Sequence, residues 1–223
     1  MKKVLKKIFN LFKSENKMSQ KEKRHSLVGQ AHLWKMKQQF QIHFLKSRGL
    51  NKTNVFLDIG CGTLRGGIPI ITYLDEEKYY GIDVRREVIE EAHQELEQEN
   101  LTFKKPQILC FSEFSELQFN LKFDVIFAFA VLIHLSDDIL NSCLKFVGEN
   151  LAEQGVFYAN VNVIEKHDDD WQGFPVVFRS LEFYKKTADK YGLKIEVIST
   201  LRELGHVTNK LGDEQLMLKI TIK

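Results

Sequence analysis

Two acidic residues on either side of a glycine-containing bend have the clearest chemistry in this sequence. The run LDIGCGT places Asp58 just before Gly60 and Gly62, and the run YYGID ends in Asp83. Glycine has no Cβ, so the backbone of such a bend can come close to a ligand. A carboxylate one βαβ unit later can accept hydrogen bonds from both hydroxyls of a ribose. The spacing therefore predicts a nucleoside site.

The residues around the bend also indicate which kind of nucleoside fits. A dinucleotide loop of the GxGxxG type would have its third glycine at position 65, where this chain has Arg65. Asp58 would repel a pyrophosphate but attract the ammonium of an amino-acid group, because opposite charges interact strongly inside a cleft. The residues favour a ligand with a cationic amino-acid part. A nicotinamide-dependent oxidoreductase and a non-catalytic binding subunit remain as alternatives.

Alternating strands and helices must position these acids. We predict strands at 55–59, 79–82, 106–111, 123–129, 155–163, 194–200 and 214–222, and helices at 27–50, 67–74, 86–100, 133–151 and 181–191. The middle strands are apolar on both faces, which is typical of a parallel sheet covered by helices on each side. Residues 164–175 are predicted to be irregular. Ligands of such sheets bind at the carboxyl ends of the strands, where both acids lie.

The composition narrows the class of protein. The 223 residues are 43% hydrophobic and 28% charged, which excludes a disordered chain and fits one compact domain. No apolar run approaches the roughly 18 residues that a membrane span needs. Three widely spaced cysteines give no disulfide framework, so we expect a cytoplasmic protein. A net charge of only +2 argues against nucleic acid as a partner.

Positive charge is concentrated in residues 1–24, which contain nine Lys or Arg and two Glu. Apolar residues at helical spacing over 4–12 predict a basic amphipathic helix, and a polar linker follows to residue 26. We therefore divide the chain into residues 1–26 and a domain over 27–223. The helix can pack on its own domain, on a second subunit, or peripherally on the inner face of a membrane. The oligomeric state is not predicted.

Four motifs resemble those of the class I S-adenosylmethionine-dependent methyltransferases. They are LDIGCGT at 57–63, YYGIDV at 79–84, SEFSEL at 112–117 and KFDVIFAFAVLIHL at 122–135. The resemblance covers roughly residues 52–223, and the helix over 27–50 fits the lead-in helix of the family. It implies an α/β, Rossmann-like fold with a seven-stranded, mostly parallel sheet, helices on both faces and an antiparallel last strand. It also implies S-adenosylmethionine as the cofactor.

The resemblance assigns cofactor contacts to the residues that match these motifs. Gly60 and Gly62 would border the methionine moiety, Asp58 would support that end, and Asp83 would hold the ribose hydroxyls. The full expected set is Asp58, Gly60, Cys61, Gly62, Thr63, Asp83, Val84, Glu113, Phe114, Ala128 and Phe129.

Further contacts and two departures also follow from the resemblance. Glu113 would read the adenine amino group with Phe114 beside the ring, and Ala128 and Phe129 would line the methionine side. Leu64 stands where many members have a third glycine, so we expect a narrower loop there. Ile133 replaces an acidic residue that some members carry before the histidine, which removes one candidate base.

Two histidines are candidates for catalysis. Methyl transfer is an in-line displacement, so the protein mainly aligns the acceptor, and a base helps when the acceptor is a hydroxyl. Histidine has the most suitable ordinary pKa, about 6.5. His134 follows the fourth strand, although it can instead cap or pack the next helix. His167 lies in the segment after the fifth strand, at the same edge of the sheet.

Three further residues are candidates for binding the acceptor. Arg65 and Arg179 can grip an anionic acceptor, although either can form a surface salt bridge instead. Trp171 can stack on a sugar or ring. No metal is expected, because the consecutive aspartates 168–170 cannot all converge on one ion. The expected reaction is methyl transfer to an oxygen or nitrogen of a small-molecule or carbohydrate-like acceptor. If the basic helix lies on a membrane, a cell-surface glycan precursor is the expected acceptor.

Overall fold

The structure is a computed structural model that describes residues 19–163, 166–171 and 173–223. The basic amphipathic helix predicted over residues 4–12 lies outside these ranges. None of the helices described is long and apolar enough to cross a membrane.

Strands and helices alternate along the described chain. The strands are β1 Phe56–Ile59, β2 Tyr79–Asp83, β3 Gln107–Cys110, β4 Phe123–Ala128, β5 Leu151–Val161, β6 Asp169–Trp171, β7 Phe174–Val176, β8 Leu193–Thr200 and β9 Leu216–Ile222. The α-helices are α1 Gln20–Ser26, α2 Trp34–Ser47, α3 Gly67–Tyr73, α4 Arg86–Gln98, α5 Asp137–Asn150 and α6 Leu181–Asp189.

Seven strands form one sheet in the order β3-β2-β1-β4-β5-β9-β8, and β6 and β7 form a separate hairpin. Strands β3, β2, β1, β4 and β5 pair in parallel, whereas β9 is antiparallel to both β5 and β8. The register places Asp58 opposite Gly81 of β2 and Phe127 of β4. The predicted fold class, with its antiparallel last strand, is confirmed.

The two faces of the sheet have separate hydrophobic layers. Helices α2, α3 and α4 cover one face with residues such as Phe44 and Ile70, and α5 and α6 cover the other with residues such as Leu144 and Tyr184. Every residue of β1 is buried. A strand covered on both sides gains burial energy from apolar residues on either face, which explains why every residue of β1 except Asp58 is apolar.

Several elements differ from the sequence prediction, and the helix predicted over 27–50 is confined to Trp34–Ser47 after a 3₁₀ turn at Ala31–Leu33. The helix predicted from residue 133 begins at Asp137, because Leu132–His134 form a 3₁₀ turn after β4. Strand β5 begins at Leu151 instead of residue 155, since the chain becomes extended directly after α5 and pairs with Phe123. The segment predicted to be irregular contains the β6–β7 hairpin.

The linker predicted up to residue 26 is wrong for residues 20–26, which form helix α1. Arg24 is 2% exposed, and its guanidinium bonds Glu91 at 2.6 Å and Glu95 at 2.7 Å on α4. The ring of His25 stacks on Trp34 with centroids 3.5 Å apart. These contacts hold α1 against the domain, and composition alone gave no sign of them.

Replacing Arg24 tests this anchor. In Arg24→Ala the side chain of Glu95, 2% exposed, loses its closest cation. Breaking a buried ion pair costs about 3–5 kcal/mol. We expect amide hydrogen exchange over residues 20–30 to become at least roughly 100-fold faster while the sheet stays protected. The matched control is Lys23→Ala, an exposed position on the same helix. Equal exchange in both variants contradicts the anchoring role.

Candidate functional site

A cavity of about 960 Å³ lies at the carboxyl ends of the parallel strands. Its wall contains the segments after β1, β2, β3 and β4, and α2 contributes Lys37 and Gln41. Residues 28–30, between α1 and α2, also line it. A volume of this size accommodates a ligand as large as a nucleotide-like cofactor.

The bend after β1 requires its two glycines. Gly60 and Gly62 have φ of +71° and +57°, in the left-handed region that favours glycine. A Cβ at Gly60 would lie 2.4 Å from Val131 Cγ2, and one at Gly62 would lie 2.7 Å from Val28 Cγ1. Side chains from two other segments therefore pack directly on the bend.

The narrower loop expected at Leu64 does not reduce the cavity. It has the left-handed backbone that a glycine would adopt, with φ of +62°, but its side chain is fully buried. A Cβ at Gly67 would lie 2.7 Å from Leu64 Cδ2, so the absence of a side chain at Gly67 leaves room for the leucine. Leu64 thus packs in the core, and it is not part of the cavity wall.

Asp83 is held at the end of β2, next to the bend. Its Oδ2 accepts a hydrogen bond from the N–H of Gly62 at 3.1 Å, and its Oδ1 accepts one from the N–H of Arg85 at 3.0 Å. The guanidinium of Arg85 also donates to the carbonyl of Leu27 at 3.0 Å. The Nε of Arg85 also donates to Oδ1, at 3.4 Å, so the remaining capacity for ligand hydroxyls lies mainly on Oδ2.

Asp58 lies on the same wall and is 5% exposed. Its Oδ2 accepts a hydrogen bond from the Tyr79 hydroxyl at 2.7 Å. Burial, opposed by the hydrogen bond from the Tyr79 hydroxyl and by Arg65 and assisted by the Asp83 charge, raises the pKa of Asp58 to about 7. A cation bound beside Asp58 would favour its charged form.

The wall beyond Asp83 has apolar residues with a carboxylate at the rim. Val84 is 51% exposed and lines the cavity together with Glu113 and Phe114. The Phe114 ring packs against Phe111 with centroids 5.0 Å apart. Glu113 is exposed and accepts a hydrogen bond from the Ser115 hydroxyl at 3.3 Å. This wall suits a flat ring that carries an amino group.

Three other residues of the expected cofactor set lie deeper. Cys61 lines the cavity, but its Sγ would be 3.0 Å from a Cβ at Gly81, so the side chain fills the space above that glycine. Burial raises the pKa of the Cys61 thiol well above its usual range, which keeps it uncharged. Thr63 and Ala128 are fully buried and lie behind the wall.

Phe129 and His134 are at the cavity on the side of β4. The Nδ1 of His134 lies 2.8 Å from the carbonyl oxygen of Pro175, and its ring meets the edge of Phe174 at 6.2 Å. The β6–β7 hairpin therefore orients this ring. Burial lowers the pKa of His134, the Pro175 carbonyl opposes the shift and Arg85 adds to it.

His167 and Arg179 are not brought to the cavity. His167 is exposed, and the Arg179 guanidinium pairs with Asp168 at 2.7 Å and Asp137 at 2.9 Å. The side chain of Trp171 lies outside the described part of the chain. Within the described ranges, no group of three or more His, Cys, Asp or Glu side chains could hold a metal ion.

Several cavity residues have basic side chains, and most of them were not expected. Arg65, an expected acceptor residue, donates from Nη1 to the carbonyl of Val28 at 2.7 Å, and burial lowers its pKa to about 10. Lys37, His206 and Lys210 were not predicted. Burial, together with the charges of Arg65 and Lys210, lowers the pKa of Lys37 to about 8. The only sequence signal for His206 and Lys210 is that they follow β8, a strand parallel to β1.

A chain of buried amides connects the walls on this side. The N–H of Ala130 donates to Asn160 at 2.7 Å, and Asn160 donates to Gln215 at 2.5 Å. Gln215 donates to Asn162 at 2.9 Å, which in turn donates to the Val177 carbonyl at 3.1 Å. The segments after β4 and before β9 are thereby fixed relative to the hairpin.

The strand order and the bend between two acids define the class I methyltransferase fold. The family described as "Methyltransferase domain" matches residues 57–157, which run from β1 into β5. Over these residues the chain is therefore similar to methyltransferase domains.

Similar proteins agree with this assignment. An uncharacterized methyltransferase of Schizosaccharomyces pombe is 29% identical over 121 residues, which are 51% of this chain and 42% of that protein. The chain thus matches less than half the length of this relative. A S-adenosylmethionine-dependent methyltransferase from Clostridium acetobutylicum has a TM-score of 0.63 at 16% identity, covering 98% of this chain and 99% of its own. Magnesium protoporphyrin IX methyltransferase from Synechocystis, with bound S-adenosylmethionine, has a TM-score of 0.63 at 14% identity, covering 86% and 81%.

The raised pKa of Asp58 predicts a pH-dependent stability. The ordinary pKa of this carboxyl is 3.8 and the folded value is about 7, so the folded protein binds more protons between these limits. The neutral Asp58 carboxyl therefore contributes its full stabilisation below about pH 4. This contribution declines as the pH rises to about 7 and is absent at higher pH. We expect the unfolding free energy of wild type, relative to Asp58→Asn, to fall by roughly 2–4 kcal/mol over this window. Urea denaturation across the window measures it, and parallel curves for the two proteins contradict the assignment.

Proposed function

We propose that this chain transfers the methyl group of S-adenosylmethionine to an oxygen or nitrogen of a small, negatively charged acceptor. The proposal rests on two features of one cavity. The first is the glycine bend between Asp58 and Asp83, called here the acid–glycine–acid cradle, and the second is a separate group of cations, Lys37, Arg65 and Lys210. The cradle suits the cofactor, and the cations suit the acceptor.

The cofactor half is supported by how the residues present match the parts of S-adenosylmethionine. Asp83 has acceptor capacity for the two ribose hydroxyls, and Asp58 can pair with the ammonium of the methionine part. The glycine bend lets the backbone approach the ligand, and the wall of Val84 and Phe114 suits adenine. A buried Thr63 hydroxyl without a partner in the described residues adds a polar atom behind the bend.

The bound cofactor would supply an electrophilic methyl carbon whose bond to sulfur breaks with its electron pair remaining on sulfur. The contribution of this chain is alignment, because an in-line displacement gains most from holding the acceptor atom close and straight. Phe129 and Val131 form the wall next to the methionine end. Segment 28–30 covers the bend and limits water at the reacting atoms.

The acceptor half is supported by unbalanced positive charge. Lys37 faces Arg65 and Lys210, and the nearby Asp213 carboxylate already accepts bonds from its own loop. Arg65 binds only a backbone carbonyl through Nη1, and its Nε has no partner in the described part of the chain. Asp213 acts on Lys37 and Asp58 on Arg65, but burial outweighs them and lowers the pKa of both cations, so an anionic group bound here gains affinity. Phe129 and Leu33 offer an apolar surface beside them.

The identity of the acceptor, beyond its negative charge, stays a prediction. A glycan precursor and contact with the inner face of a membrane depend on residues 1–18, which lie outside the described ranges. The cytoplasmic location and the catalytic role of His134 are likewise predictions. A nicotinamide cofactor is disfavoured, since Asp58 would lie against its pyrophosphate and Arg65 stands where its loop has a third glycine.

Cofactor binding is tested by replacing Asp83. We expect S-adenosylhomocysteine to bind Asp83→Ala about 1–3 kcal/mol more weakly than wild type, because hydrogen bonds to a buried charged group are lost. Asp83→Asn keeps one acceptor oxygen, so its affinity for S-adenosylhomocysteine should lie between those of wild type and Asp83→Ala. The matched control is Asp75→Ala, an exposed acid outside the cavity. Isothermal titration calorimetry measures the affinities, and unchanged affinity in Asp83→Ala rules out the ribose assignment.

The charge of the acceptor is tested with benzoate and its neutral analogue benzamide. With S-adenosylhomocysteine bound, we expect millimolar benzoate, but not benzamide, to raise the melting temperature of wild type. The benzoate effect should weaken as the pH rises through about 8, where Lys37 loses its proton. Lys37→Met should abolish the effect, and Lys35→Met, an exposed position on the same helix, should retain it. Equal shifts with benzoate and benzamide refute an anionic acceptor.

A further inference from the structure

We propose that His206 is the group that takes the proton from the acceptor, with Asp213 as the positioning residue that holds its ring. This proposal rests on the proposed function and assigns a role within the same site. The residues lie between β8 and β9, outside the four motifs that the sequence displays.

The ring of His206 is placed at the acceptor side of the cavity. It is 4% exposed, lines the cavity, and packs edge-on against Phe129 at 5.5 Å and against Phe40 at 5.1 Å. Phe129 is the residue that borders the methionine end in the proposed cofactor site. The imidazole is therefore next to the place where the acceptor atom must meet the methyl group.

Asp213 fixes which nitrogen carries the proton. Its Oδ1 lies 3.0 Å from His206 Nδ1 and also accepts from the Thr208 hydroxyl at 2.7 Å. Its Oδ2 accepts from the N–H groups of Thr208 and Asn209 at 2.8 and 2.7 Å. Although burial opposes it, these donors hold the pKa of Asp213 below its usual range, so it stays a carboxylate. A carboxylate only accepts, so Nδ1 must donate and Nε2 carries the lone pair of the neutral ring.

The Nε2 atom is buried and has no hydrogen-bond partner among the described residues. An unsatisfied buried acceptor is unusual in folded proteins and requires a reason. An O–H or N–H group of a bound acceptor would supply the missing donor. The same lone pair is the one that a general base uses.

The groups facing His206 keep it neutral at physiological pH. Burial lowers its pKa, and the charges of Lys37 from α2 and Arg65 from the glycine bend lower it further, while Asp213 raises it. A neutral imidazole can accept a proton, whereas an imidazolium cannot. After it accepts the proton, the charge is stabilised by contact with the Asp213 carboxylate.

Methyl transfer with His206 as the base moves one proton and one electron pair. As the acceptor oxygen or nitrogen forms its bond to the methyl carbon, its proton passes to Nε2, and the carbon–sulfur electron pair stays on sulfur. The products are the methylated acceptor, the neutral thioether and an imidazolium. The imidazolium loses its proton to solvent when the product leaves. No oxidant, reductant or metal is required.

Nitrogen NMR of the histidine rings tests the assignment without any acceptor. Long-range ¹H–¹⁵N spectra of the full chain with S-adenosylhomocysteine, assigned by comparison with His206→Asn, should show His206 neutral at about pH 7.5 and protonated on Nδ1. A proton on Nε2, or a charged ring at this pH, overturns the proposal, because the lone pair would be missing.

A pair of acceptors tests the catalytic step. We use 4-hydroxybenzoate and 4-mercaptobenzoate, which share the carboxylate but differ in how readily the reacting group ionises. With wild type and labelled S-adenosylmethionine at about pH 8, both should be methylated. His206→Asn should lose at least roughly 100-fold of kcat/KM with the phenol and little with the thiol, which ionises without a base. Asp213→Asn should give a smaller loss with the same selectivity.

The outcomes separate this proposal from the proposed function. The control is His93→Asn, an exposed histidine on α4, which should react with both acceptors as wild type does. Retained phenol methylation in His206→Asn, or an equal loss with both acceptors, overturns the role of His206. Binding of S-adenosylhomocysteine without methylation of either compound by wild type contradicts the proposed acceptor class, and the NMR result then decides His206 by itself.

Discussion

The hydrogen bond from the N–H of Gly62 to Asp83 is the contact on which the site depends. It joins the ends of two neighbouring parallel strands, so that the bend after β1 and the acid after β2 form one surface. The sheet register makes this possible, because Asp58 pairs with Gly81, two residues before Asp83. Cys61 fills the space above Gly81, and Val28 and Val131 pack on the glycines of the bend. The cradle is thus tightly constrained before any ligand is considered.

Charge divides the cavity into an acidic part and a basic part. Asp58 and Asp83 lie beside the bend, where a ribose and an ammonium can be bound. Lys37 and Arg65 lie nearer α2 and the loop after β8, where burial lowers the pKa of both and the charge of Arg65 lowers that of Lys37 further. Arg65 stands at the boundary, since it also moderates the pKa of Asp58. A methyl donor with a positive sulfur and an acceptor with a negative group would each find the opposite charge.

The segment over residues 19–30 belongs structurally to this site. Helix α1 is fixed to α4 by Arg24, and the carbonyls of Leu27 and Val28 are bound by Arg85 and Arg65 next to the cavity. Val28 then reaches the glycine bend. Anchoring at α4 and coverage of the bend are therefore coupled, and a change at Arg24 can affect the cavity although it lies outside it.

The sequence by itself determined the sheet, its helices and the acid–glycine–acid cradle, because apolar runs, glycines and strand-end acids are local patterns with local physical causes. Only the tertiary structure decided which basic side chains meet in the cavity. Lys37 and His206 meet there because α2 and the loop after β8 converge in space, although they are far apart along the chain. Arg179 and His167 were predicted to join them, but Asp137 and Asp168 bind Arg179 elsewhere. Pairing between distant charges depends on how the elements pack, and no local pattern in the sequence records it.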